Sequence, residues 1–312
     1  MSEPIRDADP WVRRPKPMPG EIIDGRYRVE HLLGLGGYST VVSARHVLLD
    51  RLAAIKMIRG DLPRIVQRFR EEATLLACLT HPGLVRIYDA TTLGDGGYYM
   101  ALELVDGYPL DRLRRRQPIA LRDALMVCEV VAGVLVDLHA MGILHRDIKP
   151  SNVMIPEVGN ELHYHSAKLI DLGSFDRLRD NARLGGRQTR PGRLSGTPTH
   201  MAPEQLTGRR LSEASDIYAL GATFYDLLFG APPASDDGQI CEFHFPAIED
   251  VRIRMAVDRL DEDIEVPRRS DIPEVVRDVL TAMLRNDPNE RMGSAVAARH
   301  AIQRLRTTLS DG

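Results

Sequence analysis

Apolar positions in the first third of the chain recur in short alternating runs. Tyr27–Leu33, Thr40–His46, Leu52–Met57, Val85–Ala90 and Tyr98–Leu104 each read as a strand, with turn residues such as Gly94, Asp95, Gly96 and Gly97 between them. One segment breaks the rhythm. Ile65, Phe69, Leu76 and Leu79 fall at helical spacing and predict a helix from about Pro63 to Leu79. After Gly107 the period lengthens, and helices are predicted over Leu121–Met141, Ser215–Leu228, Ile272–Leu284 and Ala295–Leu309. A strand-rich beginning followed by a helix-rich remainder predicts an α+β protein in two lobes. Residues 1–25 hold Pro4, Pro10, Pro15, Pro17 and Pro19 and read as an extended tail, with Trp11, the sole tryptophan, as a candidate anchor for the body or a partner.

The 312 residues, 43% hydrophobic and 27% charged, are enough to bury a core without disulfides or a structural metal. The net charge of −3 disfavours nucleic acid as the main partner. Cys78, Cys128 and Cys241 are odd in number and widely spaced, which fits a reducing, cytoplasmic setting. No membrane span is expected. The most apolar stretch, Ala124 to Leu144, contains Glu129, Asp137 and His139, and reads as a buried helix. No signal peptide is expected at the N-terminus. Asp258, Asp261, Glu262, Asp263 and Glu265 read as a solvated acidic face, while Arg177, Arg179, Arg183, Arg187, Arg190 and Arg193 cluster in a predicted loop.

Candidate chemistry begins at Gly34-Leu35-Gly36-Gly37-Tyr38-Ser39-Thr40-Val41, between two predicted strands. Glycines there let backbone N–H groups approach phosphate oxygens. A strand rather than a helix follows, which excludes a dinucleotide-binding fingerprint, and no Gly-Lys-Ser/Thr ends it as in a Walker A loop. Lys56 sits on the third predicted strand, and Glu72 follows sixteen positions later in the predicted helix. A strand lysine paired with a helix carboxylate can hold a cation against phosphates. His145-Arg146-Asp147-Ile148-Lys149-Pro150-Ser151-Asn152 follows the long helix. Its spacing suits a carboxylate near a substrate hydroxyl, an amide oxygen on a metal, and Lys149 near a transferred phosphate. Asp171-Leu172-Gly173 follows an apolar strand, Ala167 to Ile170, and offers a second hard oxygen ligand.

With Gly196-Thr197-Pro198-Thr199-His200-Met201-Ala202-Pro203-Glu204, Asp216-Ile217-Tyr218-Ala219-Leu220-Gly221 and Asp287-Pro288-Asn289-Glu290-Arg291, these motifs stand in one order from Gly34 to Arg291. The chain thereby resembles eukaryotic-type (Hanks-type) serine/threonine protein kinases, most like the bacterial members. The resemblance implies a bilobal α+β fold, with a β-rich N-lobe carrying one main helix over 26–104 and an α-rich C-lobe over 105–309. It implies ATP with Mg²⁺, or Mn²⁺, and protein substrates. By position, Lys56 contacts the α/β-phosphates and pairs with Glu72. Asp147 orients or deprotonates the substrate hydroxyl, Lys149 neutralises the γ-phosphoryl, and Asn152 and Asp171 hold the metal. Thr197 bridges Asp147 and Lys149. Gly34, Leu35, Gly36, Gly37 and Ser39 cover the phosphates. Val41, Ala54 and Met154 sandwich the adenine, and the Glu103–Val105 backbone forms the hinge. Glu204 and Arg291 form a buried ion pair, and Asp216 anchors the catalytic loop.

Three positions depart from the family pattern. Ser39 stands for a glycine, Leu172 for a phenylalanine, and His200 for a tyrosine, the last altering packing near the substrate. The family positions that often read an upstream arginine are Pro109 and Ser151, so no strong arginine preference is expected. Segments 156–166 and 235–269 are longer than a minimal kinase needs. The latter, like the tail, is a candidate surface for a regulatory partner. Between Asp171 and Glu204, Thr189 and then Ser195 are the expected autophosphorylation sites. The alternatives are a pseudokinase or scaffold, and a small-molecule phosphotransferase. The filled catalytic positions oppose the first, and the Gly196–Glu204 segment opposes the second.

Overall fold

The alternating runs of the first third pair into one antiparallel sheet. The computed structural model describes residues 17–36, 39–58, 63–94, 96–116, 118–172, 175–177, 198–233 and 263–310. Its strands are β1 (Ile22–Ile23), β2 (Tyr27–Leu35), β3 (Ser39–His46), β4 (Leu52–Ile58), β5 (Ile87–Thr92) and β6 (Tyr98–Glu103), in the order β1-β2-β3-β4-β6-β5. Helix α1 (Pro63–Cys78) crosses over between β4 and β5. The period of two sorts β4 cleanly. Ala53, Ile55 and Met57 enter a core with Tyr27, Val29, Val42, Tyr99 and Ala101. Ala54 and Lys56 take the other face. The sheet curls on itself, since the Tyr27 and Tyr99 rings lie 5.9 Å apart and Arg26 pairs with Asp89 at 2.5 Å.

The chain divides into two compact units. The first holds residues 1–80 and 85–104, and the second holds 81–84 and 105–312. The tail reading of residues 1–25 needs correction at its end: Ile22–Ile23 pair with Tyr27 and Arg28 as a strand, and the Gly20 N–H donates to Val29. The sequence reading also placed the fourth strand two residues early. Thr91 and Thr92 lie opposite Tyr99 and Tyr98, so the partner strand carries the pairing past Ala90.

The second unit is built on helices α2 (Leu110–Arg116), α3 (Leu121–Ala140), α4 (Pro203–Leu206), α5 (Glu213–Phe229), α6 (Glu274–Met283) and α7 (Ala295–Ser310). Helix α3 is buried on most sides, which explains its near-continuous apolar sequence. It packs against α5 and α7. Among the described residues no helix is long and apolar enough to cross a membrane. A Cβ on Gly221 would lie 2.8 Å from the Met283 Cβ, so glycine lets α5 and α6 approach closely. Ser212 and Ser215 form a capping box at the start of α5, and Gly230 ends it at φ +80°.

Short strands frame the loop between α3 and α4. These are β7 (Gly107–Pro109), β8 (Ile143–Leu144), β9 (Val153–Val158), β10 (Glu161–Leu162), β11 (Lys168–Leu169) and β12 (Asp176–Arg177). β9 pairs with β7, β10 and β11, and β8 pairs with β12. Asp263 is exposed, as the solvated-face reading of the acidic run expects, and it also makes specific bonds. It accepts the Asn286 N–H at 2.8 Å and pairs with Arg285 at 2.5 Å, and these bonds hold its carboxyl below the usual range. Trp11, Cys241 and most of the 235–269 segment lie outside the described residues.

Candidate active site

Each unit carries part of the predicted set. In the first, Gly34 lies opposite Val41 and Leu35 opposite Thr40, and the Gly36 N–H closes the hairpin on the Ser39 carbonyl at 2.8 Å. Gly37 lies outside the described residues. Val41 sits directly across from Lys56, and Ala54 is two residues away on the same strand. Val41, Ala54 and Lys56 therefore share one sheet face. The Glu103 N–H donates to the Arg86 carbonyl at 2.8 Å, and Glu103 Oε2 accepts the Arg86 N–H at 3.1 Å.

The Lys56 ammonium reaches both Glu72 oxygens, at 2.7 and 3.0 Å. Glu72 is on the buried stripe of α1 with Phe69, Leu75 and Leu76. The carboxylate thus faces the sheet because its helix neighbours must. Such a pair fixes the ammonium at one place above the strand, where a single point charge can meet phosphate oxygens.

In the second unit, everything converges on Asp216. This fully buried carboxylate accepts the His145 and Arg146 N–H groups at 2.8 Å each, and His139 Nε2 lies 2.9 Å away. Burial alone would raise its pKa. The His139 hydrogen bond and charge, then His145 and the Arg146 N–H, bring it below the ordinary carboxylate value. Arg146 stands at φ +70°, a left-handed conformation that costs a non-glycine residue on the order of 1–3 kcal/mol. Asp216 holds its N–H, and the Gln205 amide donates to its carbonyl at 2.9 Å. The strained turn aims the next residue, Asp147.

Asp147 lies 2.9 Å from the Lys149 ammonium. The Asn152 amide donates to its carbonyl at 2.8 Å and to its carboxylate at 3.0 Å. Asn152 thereby turns its own carbonyl oxygen elsewhere. The Ile170 N–H donates to the Asn152 backbone carbonyl at 2.9 Å, which brings Asp171 next to Asn152. Among the described residues no group of three His, Cys, Asp or Glu side chains could hold a metal. Asn152 and Asp171 provide two hard oxygens, which suits a Mg²⁺-sized ion that takes its remaining ligands from phosphates and water. Met154 lies on β9 opposite Pro109 and Lys168, and Val105 opens the second unit. Thr197 lies outside the described residues, as do Thr189 and Ser195.

His200, the departure from tyrosine, is buried. It lies 3.1 Å from Asp226 through Nε2 and 3.0 Å from the Thr199 hydroxyl through Nδ1. Arg114 sits 3.0 Å from the same Asp226. Sequence reasoning missed His139, Gln205, Ser215 and Arg114. Only His139 left a trace, as a polar residue inside an apolar helix.

His145 is completely buried, and burial lowers its pKa below the ordinary 6.5, against the opposing charges of Asp216, Asp147 and Asp171. Its Nδ1 accepts the Asp147 N–H at 3.2 Å, so the neutral ring is the form the loop needs. His81 is also lowered by burial. Unfolding frees both rings to bind protons below about 6.5, so the unfolded state binds more and stability falls as pH drops. Each such ring adds up to about 1.4 kcal/mol per pH unit. Asp216 extends the loss. Its depressed native pKa gives stability above the ordinary carboxylate value that disappears as pH falls through the native one. Thermal melts should be flat from pH 8 to 7 and drop steadily below 6.5. A melting temperature unchanged down to pH 5 would mean that His145 protonates freely in the fold.

A family profile described as "Protein kinase domain" matches residues 27–303. The chain is 33% identical over 306 residues to the serine/threonine-protein kinase pkn3 of Myxococcus xanthus, covering 95% of this chain and 52% of that protein. It is 35% identical over 232 residues to PknA of Mycobacterium tuberculosis, covering 72% of this chain and 51% of that one. Against PknB of Mycolicibacterium smegmatis it is 33% identical over 293 residues, covering 91% and 43% respectively. The chain spans about half the length of these relatives or less.

Proposed function

Because the chain belongs to the protein kinase family, we propose that it transfers the γ-phosphoryl group of ATP to serine and threonine hydroxyls of proteins, with Mg²⁺ as the metal and Mn²⁺ as a substitute. One observation carries this reading: Asp147, Lys149 and Asn152 are interlocked within 3.0 Å of one another's groups, on a loop anchored by buried Asp216. Phosphoryl transfer asks a protein mainly for positioned charge, and that is what this loop offers.

The Asp147 carboxylate orients the acceptor hydroxyl and takes its proton. Lys149 faces the charge that gathers on the transferred phosphoryl oxygens. Asn152 and Asp171 would hold the metal, whose positive charge offsets that of the phosphates. Lys56, fixed by Glu72, contacts the α/β-phosphates, and the Gly34–Ser39 hairpin covers them with backbone N–H groups. Thr197 bridges Asp147 and Lys149. Val41, Ala54 and Met154 receive the adenine, with the Glu103–Val105 backbone bonding its edge. A cytoplasmic location supplies ATP and keeps the cysteines reduced. The tail and the 235–269 segment are candidate docking places for a regulator.

Incubating the purified chain with labelled ATP, Mg²⁺ and a generic protein acceptor tests this. Label should enter serine and threonine of the acceptor, and mass spectrometry should find autophosphorylation at Thr189 or, second, Ser195. Absence of any transfer would leave a scaffold in place of an enzyme.

A further inference from the structure

Helix α2 gives four of its seven positions to arginine, in a chain whose net charge is −3. Leu110 and Leu113 are buried and fix how the helix lies. Arg114 also points inward. Its side chain is 9% exposed, 3.0 Å from Asp226, and it donates to the Gly230 carbonyl at 2.5 Å. That arginine is spent on the end of α5. Arg112, Arg115 and Arg116 are exposed. Asp111 lies 3.6 Å from Arg115, and Arg116 lies over the Tyr108 ring at 5.8 Å. Among the described residues neither Arg112 nor Arg116 has a carboxylate partner. An outward surplus of positive charge is left on one short helix.

That surplus has a place as well as a sign. α2 starts where β7 ends and packs against the turn Pro150–Asn152. The same turn supplies the Asn152 amide that holds Asp147. Ser151, in that turn, is exposed and uncharged. An extended peptide covers about 3.3–3.6 Å per residue. A segment that places a hydroxyl at Asp147 thus brings residues a few positions away alongside α2.

We propose that Arg112 and Arg116, with Arg115 beside them, read acidic side chains near the phosphoacceptor, so that preferred substrates present serine or threonine within acidic protein segments. This rests on the kinase reading above. Guanidinium forks match carboxylates well. Single exposed ion pairs are weak, but several together raise encounter rate and set register. The effect should weaken with salt, since the screening length is about 8 Å at 0.15 M.

The test uses two acceptor peptides, one with glutamates three to five residues from the acceptor and one with glutamines there, made with the flank on either side. The wild-type chain should show the lower KM for the glutamate peptide on one side. In Arg112→Glu/Arg116→Glu that KM should rise about 5- to 30-fold, while kcat and the glutamine peptide's KM change less than about twofold. A lysine-bearing peptide should gain on the same variant. Arg112→Gln/Arg116→Gln, the milder change, should lose the preference without reversing it. Equal KM values for both peptides on the wild-type chain, or equal losses for both in the variants, would overturn the proposal. Failure of the wild-type chain to phosphorylate either peptide or itself would instead sink the kinase reading.

Discussion

Asp147→Asn is expected to lower phosphoryl transfer by about 10²-fold or more while the chain stays folded and binds nucleotide. The reason is local. The Asp147 backbone is held through the His145 ring, the Asn152 amide and, one residue upstream, Asp216. None of these depends on the Asp147 charge. An amide of the same shape keeps the loop in place but cannot take a proton from a hydroxyl, and it removes the negative partner 2.9 Å from Lys149. The loss should therefore fall on kcat. Lys56→Met should reduce transfer similarly, with an added cost, because Glu72 would stay 5% exposed without the 2.7 Å ammonium. Initial rates with labelled ATP, nucleotide binding and thermal melts separate these cases. Turnover near wild type for Asp147→Asn would remove Asp147 from the chemistry.

What could be read beforehand, and what could not, follows from how each element earns its stability. Helix α3 was legible over Leu121–Met141 because nearly every face is buried, and the observed helix ends one residue earlier. The Lys56–Glu72 partnership was legible because a lysine on a predicted strand and a carboxylate on the following predicted helix suggested it, and the family resemblance implied the pairing itself. Helix α2 was not, since it is seven residues long with two buried leucines, too few to declare a period. The two-residue strands β8 and β12 exist only through each other, with Asp176 opposite Leu144, and a pairing 32 residues apart leaves no local signature. The Asp216 anchor entered only through the family resemblance. Its partner His139 and the Gln205 amide that holds the Arg146 carbonyl come from separate helices and meet the loop in space alone. Charge alone did not show where it is put to use: Asp263 was read only as part of a solvated face, yet it also caps the Asn286 N–H, and Arg114, which no sequence pattern singled out, pairs with buried Asp226.

Glu204→Ala is expected to destabilise the second unit by about 3–5 kcal/mol, the largest stability effect of any single change considered. The Arg291 side chain is 0% exposed and Glu204 is 3% exposed, and the two meet bidentately at 2.8 and 3.1 Å. Every donor of the guanidinium is committed. Beyond Glu204 it reaches the Arg285, Asn286 and Ala214 carbonyls at 2.8, 3.1 and 2.7 Å, with the Tyr218 ring 5.0 Å away. The Ser215 hydroxyl adds a bond to Glu204 at 2.8 Å, tying the pair to the capping box of α5. Deleting the carboxylate leaves a buried cation and an orphaned hydroxyl. Deleting an exposed carboxylate such as Glu290 should cost no more than about 0.5 kcal/mol. For a unit of this size the Glu204 loss corresponds to roughly 10 °C in melting temperature. Because Gln205, the next residue, holds the Arg146 carbonyl, the same variant should also lose activity before it unfolds. Replacing both partners with apolar residues of similar volume should recover part of the stability but not the activity, because the buried charge disappears while the support under Arg146 is not rebuilt. An unchanged melting temperature for Glu204→Ala would show that Arg291 finds other compensation and that the pair does not hold the unit together.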